Sequence, residues 1–189
     1  RFVSPFLCFT WRRPRGLNLA RLRSENKQPI EEKRLREYAR QLSVLSTDFD
    51  KKRLNCGGFD SRRMFFAVDD SSRERVAVLS FVWRKFHRSF IEQAETQMWI
   101  KDYPNSWKAD AFTLGVLLLE LMLPVGDERL LQPFWTDTKA CENLLVSCHR
   151  LGFSLELLQI VKQCLSPFND RPTPEEIVSA VDLLPRIID

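Results

Sequence analysis

Histidine is scarce: His87 and His149 are the only two in 189 residues. Neither belongs to an Asp/Ser or Cys/His constellation of the kind a triad or a metal site needs, so both read as ordinary surface or partly buried side chains. The cysteines, Cys8, Cys56, Cys141, Cys148 and Cys164, are odd in number and lack any CxxC spacing. Neither a zinc ribbon nor a disulfide framework is indicated. They read as mostly buried, reduced thiols, which favours a reducing compartment; Cys141 and Cys148, seven apart, read as core packing on one helix face. No metal site and no cofactor are expected. Neither GxGxxG nor GxxxxGK[ST] occurs, so the pair Gly57-Gly58 is not a phosphate-cradling loop. The longest apolar run, Leu114 to Val125, is broken by Glu120. It falls short of the roughly 20 residues of a membrane span.

What is present suits one globular domain: 44% hydrophobic residues, and 29 Lys and Arg against 25 Asp and Glu, for a net charge of +4. The basic clusters "WRRPR", "KKR", "SRR" and "WRKFHR" read as scattered, solvated charge rather than a nucleic-acid footprint. Phe86, Phe90, Trp99 and Trp135 lie in irregular stretches and tilt the reading toward a protein interface. No acidic residue precedes Glu25, as in a transit peptide, but "RFVSPFLCF" is too apolar and strand-like for one. The expectation is a sequence that starts partway into a longer polypeptide.

Along the chain, "RFVSPFLCFTW" predicts an extended segment, ended by "RRPRG". Pro29 opens a helix over 29–48, in which Leu35, Tyr38, Ala39, Leu42 and Leu45 keep the spacing of one helical face. Glu31 and Glu32 stand in its first turn, where the helix dipole favours negative charge. "RMFFAV" and "VAVLSFVW" flank a polar turn and predict a β-hairpin. An irregular stretch follows to residue 107. "KADAFTLGVLLLELM" is apolar all round, as expected of a helix buried on every side. Three further helices come from "LLVSCHRLG", "SLELLQIVKQCLS" and "TPEEIVSAVDLL". The last carries a capping box, Thr173 with Glu176, and Pro174 at its first position.

At "WKADAFTLGVLLLELMLP" and "CLSPFNDRPTPEEIV" the sequence resembles the C-terminal lobe of eukaryotic-type protein kinases. The first motif supplies the Asp, aromatic and Leu-Gly pair of that family's central helix as Asp110, Phe112, Leu114 and Gly115. The second supplies Cys164, Leu165, Pro167, Arg171, Pro172 and Thr173. The resemblance runs back through nearly the whole chain. It implies a single mainly α domain over 1–189: a hinge-like segment at 1–16, a long helix at 29–48, and a degenerate catalytic loop and small hairpin at 54–83. An activation-segment-like loop at 84–107 and a helical subdomain at 108–188 complete it. The N-terminal lobe is expected to be absent.

Kinases need a carboxylate for the substrate hydroxyl, an Asn and a second Asp for magnesium, and a Lys for the nucleotide phosphates. By resemblance the His-Arg-Asp triplet falls on Asn55, Cys56 and Gly57, the loop Asn on Arg62, and the Asp-Phe-Gly triplet on Ser80, Phe81 and Val82. None of these can serve: a serine hydroxyl, for one, is a poor ligand for a hard cation that prefers carboxylate oxygens. Asp60 is close enough for a shifted register to nominate it as the base, but the second magnesium carboxylate would still be absent. No VAIK-like strand is present, and ATP binding is not expected without an N-terminal lobe.

The framework residues remain. The resemblance implies that Asp110 accepts hydrogen bonds from the backbone of 55–57, and that Arg171 pairs with a carboxylate of the activation segment, Glu95 or alternatively Glu92. The expected function is that of a pseudokinase: a non-catalytic scaffold, allosteric partner or structural subunit that binds another protein. A weakly active atypical kinase, and a secreted rhoptry-type pseudokinase effector, are the alternatives.

Overall fold

The computed structural model describes residues 21, 28–51, 59, 64–68, 74–78, 107–125, 138–185 and 187. Among them the protein is mainly helical: α1 Glu32–Lys51, a hairpin of β1 Met64–Val68 and β2 Glu74–Val78, α2 Trp107–Met122, α3 Thr138–Arg150, α4 Leu155–Cys164, a 3-10 turn Phe168–Asp170, and α5 Pro174–Asp182. No described helix is long and apolar enough to cross a membrane. The extended segment, the irregular stretch and most of the degenerate catalytic loop lie outside the described residues.

α2 is the axis. Ala111, Phe112, Leu114, Val116 to Leu119, Leu121 and Met122 are all buried, so it has no polar stripe and must be enclosed on every side. α1, α3 and α4 pack on it, and α5 closes the far side against α1 and α4. Each enclosed Leu contributes on the order of 1.5–3 kcal/mol relative to exposure. The helix is thus the main source of core energy.

α1 begins later than expected, at Glu32 rather than at Pro29, and runs on to Lys51 rather than stopping at 48. The delay has a cause. The N–H of Ile30 donates to the carbonyl of Leu121 at 2.9 Å, which satisfies the end of α2 and holds the entering chain extended. Leu35, Tyr38, Ala39 and Leu42 are buried as their spacing predicts, but Leu45 is only partly so. Its place in the interior goes to Ser43, Ser46 and Thr47. The second half of the buried face is therefore hydroxylic.

The hairpin is antiparallel, with Met64 opposite Val78 and Val68 opposite Glu74. Its second strand starts two residues before the apolar run that announced it. The N–H of Val76 donates to Oε1 of Gln41 at 2.8 Å, and Gln41 in turn donates to Glu37. A polar side chain of α1 thus occupies a strand edge that would otherwise present a free N–H.

Helix ends follow local chemistry. Thr173 caps α5 through the N–H of Glu176, and Glu176 returns to the N–H of Thr173, with Pro174 at the first position, as the sequence predicts. Ser154 caps α4. α3 turns out through Gly152, whose φ of 101° lies in the left-handed region. His149 completes that turn, its Nδ1 lying 3.0 Å from the carbonyl of Phe153.

Candidate functional site around the central helix

Three of the framework residues singled out in the sequence lie on or against α2, and each is fixed for a different physical reason. Asp110 stands in the first turn, where the positive end of the helix dipole favours a carboxylate. It is buried, 2% exposed, and accepts a hydrogen bond from the Ser46 hydroxyl of α1 at 3.1 Å. One turn on, Thr113 donates its hydroxyl to the carbonyl of Asp110 and accepts the N–H of Phe59, both at 3.0 Å. Phe59 is itself buried. The start of α2 is therefore tied to α1 and to the chain just past Gly57-Gly58. Residues 55–57, the donors expected for Asp110, lie outside the described residues.

Gly115 is the contact point between α2 and α4. A β-carbon on it would meet Cβ of Cys164 at 2.9 Å and the side chain of Leu165 at 3.0 Å, closer than real carbon atoms pack. The Leu-Gly pair of the motif is thus a packing requirement, and the Cys-Leu pair is what it packs against.

Arg171 is 3% exposed. Its Nε donates to the carbonyl of Ser166 at 2.9 Å and its Nη1 to that of Lys108 at 3.0 Å, which ties the turn after α4 to the start of α2. The guanidinium lies 4.5 Å from the ring centroid of Phe112 and 5.6 Å from that of Phe168, in cation–π range. Lys108 stands on Phe168 as well, its Nζ 5.0 Å from that centroid. Among the described residues Nη2 has no hydrogen-bond partner. Burial pulls the pKa of Arg171 down to about 10, still far above neutrality, so the side chain remains a cation. Among the described residues no carboxylate pairs with it, although a buried charge of this kind is costly unless one does.

The degenerate positions Asn55, Cys56, Gly57, Arg62, Ser80, Phe81 and Val82 lie outside the described residues, as do Asp60, His87, Glu92 and Glu95. Of the cysteines, Cys148 and Cys164 are buried and Cys141 is half-buried. Desolvation pushes Cys148 and Cys164 up to about 12, and Cys141, despite Lys162 nearby, up to about 11. Such thiols stay protonated at neutral pH and are not nucleophiles. Among the described residues no group of three His, Cys, Asp or Glu side chains is arranged to hold a metal ion.

Sequence reasoning missed a polar seam on α1. Glu32 accepts the N–H of Ser154 at 2.7 Å and the Ser154 hydroxyl, and it pairs with Arg36. Arg36 donates onward to the carbonyl of Pro185, and Arg40 pairs with Asp182 at 3.1 Å. Glu32, Arg36 and Arg40 recur every fourth residue, so they share one face. That spacing was the available signal. Burial acts to raise the pKa of Glu32, but the hydrogen bonds from Ser154 and the charge and hydrogen bond of Arg36 outweigh it and hold the carboxyl below its ordinary value.

No protein-family model matches the chain, and no curated protein matches it.

Proposed function

We propose that the chain is the C-terminal lobe of a degenerate protein kinase, a pseudokinase domain that works by binding another protein rather than by phosphoryl transfer. The observation that carries this reading is the convergence on one enclosed helix of Asp110 in its first turn, Gly115 at the crossing with α4, and Arg171 stacked on Phe112. Two motifs about 50 residues apart in sequence meet there, which supports the reading; the roles that the resemblance implies, Asp110 accepting from 55–57 and Arg171 pairing with Glu95 or Glu92, involve partners outside the described residues. Arg171 keeps one donor, Nη2, for the carboxylate of Glu95 or Glu92 that the resemblance brings to it.

The non-catalytic part of the proposal rests on residue chemistry. Asn55, Cys56 and Gly57 offer no base, Arg62 is a cation where a magnesium ligand is needed, and Ser80 is no substitute for a carboxylate. The work left is that of a scaffold, allosteric partner or structural subunit. Purified protein should show no thermal shift with ATP that depends on magnesium, and no label transfer from radiolabelled ATP to itself or to a generic acceptor. A magnesium-dependent shift together with transfer that disappears in Asp60→Asn would establish the weakly active kinase instead.

A further inference from the structure

α4 and α5 lie side by side, and the seam between them is an open groove. Two adjoining hollows make it, of about 520 Å³ and 500 Å³, sharing Ile160, Gln163 and Ala180. The first is walled by Leu155, Leu183, Leu184 and Pro185. Leu155 is 63% exposed and Leu183 84%. Single exposed leucines are ordinary, but two on opposite walls of one groove form a site for an apolar anchor.

Three of the four charged residues that line the groove are acidic. Glu156 stands on the apolar hollow, Asp170 and Glu176 on the other. The cation on the wall, Arg171, is buried, with its guanidinium on Phe112 of α2. Lys162 of α4 does not line either hollow and pairs with Glu142 of α3. On a chain whose net charge is +4, this seam is locally acidic. The bridges Glu32–Ser154 and Arg40–Asp182 at the ends of α4 and α5 involve no lining residue, and the cations Arg36 and Lys108 meet the lining at the backbone carbonyls of Pro185 and Asn169. From Leu155 to Gln163 the wall runs roughly 12 Å at 1.5 Å per residue, long enough for two turns of a helix laid along it.

We propose that the α4–α5 seam is a docking groove for a basic amphipathic helix of a partner protein. Its apolar face seats between Leu155 and Leu183, and its Lys or Arg side chains meet Glu156, Asp170 and Glu176. Helix-in-groove binding of this kind reads apolar anchors at i, i+3, i+4 and i+7, and the acidic rim selects partners by charge. The proposal stands on the seam alone and holds whether or not the chain is a kinase relative.

The test uses the whole chain and a fluorescein-labelled synthetic helix with leucines at that spacing and lysines elsewhere, beside a twin carrying glutamates for the lysines. Anisotropy should show binding of the lysine helix only. Hydrogen exchange should slow in α4 and α5. Leu155→Ser, Leu183→Ser and the pair Glu156→Gln/Asp170→Asn should each weaken binding about tenfold, the effect of losing one anchor or the charge match. Leu155 and Leu183 are exposed, so the serine variants leave the core intact. Equal binding of the glutamate helix, protection elsewhere in the chain, or indifference to these substitutions overturns the proposal. So does a concentration-dependent dimer that Leu183→Ser dissociates, because the groove would then belong to a second copy of the chain.

Discussion

Gly115 faces Cys164 across the contact of α2 and α4 at a separation that leaves no room for a side chain: a β-carbon on the glycine would lie 2.9 Å from Cβ of the cysteine. The neighbour on the other side is the Leu165 side chain at 3.0 Å. Cys164 is fully buried, and its Cβ belongs to a helix that cannot move without disturbing the core. Gly115→Ala is therefore expected to cost about 1–3 kcal/mol, the range for overpacking, even though alanine is the better helix former. Urea unfolding followed by far-UV circular dichroism would measure the loss. Adding Leu165→Ala should recover part of it, since only the leucine can yield.

Glu32 makes stability depend on pH in a direction fixed by its partners. Its folded-state pKa lies below the ordinary 4.5, so the folded protein binds fewer protons there than the unfolded chain. The resulting stability is fully present above the ordinary carboxylate range and is lost as pH falls from about 4.5 through the lowered value. Glu32→Gln should remove that part of the acid limb. Unfolding midpoints in urea from pH 6 to pH 3, compared between the two proteins, would test this; parallel curves would mean that Glu32 carries none of the acid sensitivity.

Ser43 is buried in α1, and its hydroxyl has no hydrogen-bond partner among the described residues. A buried unsatisfied hydroxyl costs roughly 1–3 kcal/mol, and alanine is also favoured in a helix interior by a few tenths of a kcal/mol. Ser43→Ala should be neutral or should raise stability by up to about 1 kcal/mol. Ser46→Ala should do the opposite, because Ser46 donates to the buried carboxylate of Asp110. Hydrogen bonds to charged groups are worth about 1.5–3 kcal/mol. Opposite signs for two serines three residues apart would be hard to obtain from helix propensity alone.

The elements were legible where local chemistry decides them. Thr173, Pro174 and Glu176 announce α5 within three residues of sequence, and the apolar stretch after Asp110, interrupted only by Thr113 and Glu120, announces an enclosed helix. The start of α1 was not legible, because the hydrogen bond from Ile30 to Leu121 spans 91 positions, and no period within 29–48 encodes it. The exchange of Leu45 for Ser43, Ser46 and Thr47 on the buried face was hidden for a related reason. Hydroxyls count as polar in any pattern, yet here one of them faces the buried Asp110. Within the candidate site, Asp110, Gly115 and Arg171 were readable as motif positions, whereas Ser46, Thr113 and Phe59 join them only through the crossing of elements distant in sequence. The Glu32–Ser154 contact was missed although the charge spacing at 32, 36 and 40 was in view, because nothing in that spacing says which helix end it caps.

The framework of the proposed kinase-like lobe turns on Arg171, whose Nη2 has no hydrogen-bond partner among the described residues. A double-mutant cycle pairing Arg171→Met with Glu95→Gln and, separately, with Glu92→Gln measures the missing partnership most directly. Arg171→Met alone should destabilise by about 3–5 kcal/mol, because it gives up the bonds to Ser166 and Lys108 and, on the proposed pairing, leaves the carboxylate of Glu95 or Glu92 without its cation. Coupling of about 1–3 kcal/mol with one of the two glutamates, and none with the other, is the expected result. Additive effects with both would mean that no activation-segment carboxylate reaches Arg171, and would contradict the kinase-like reading of the lobe.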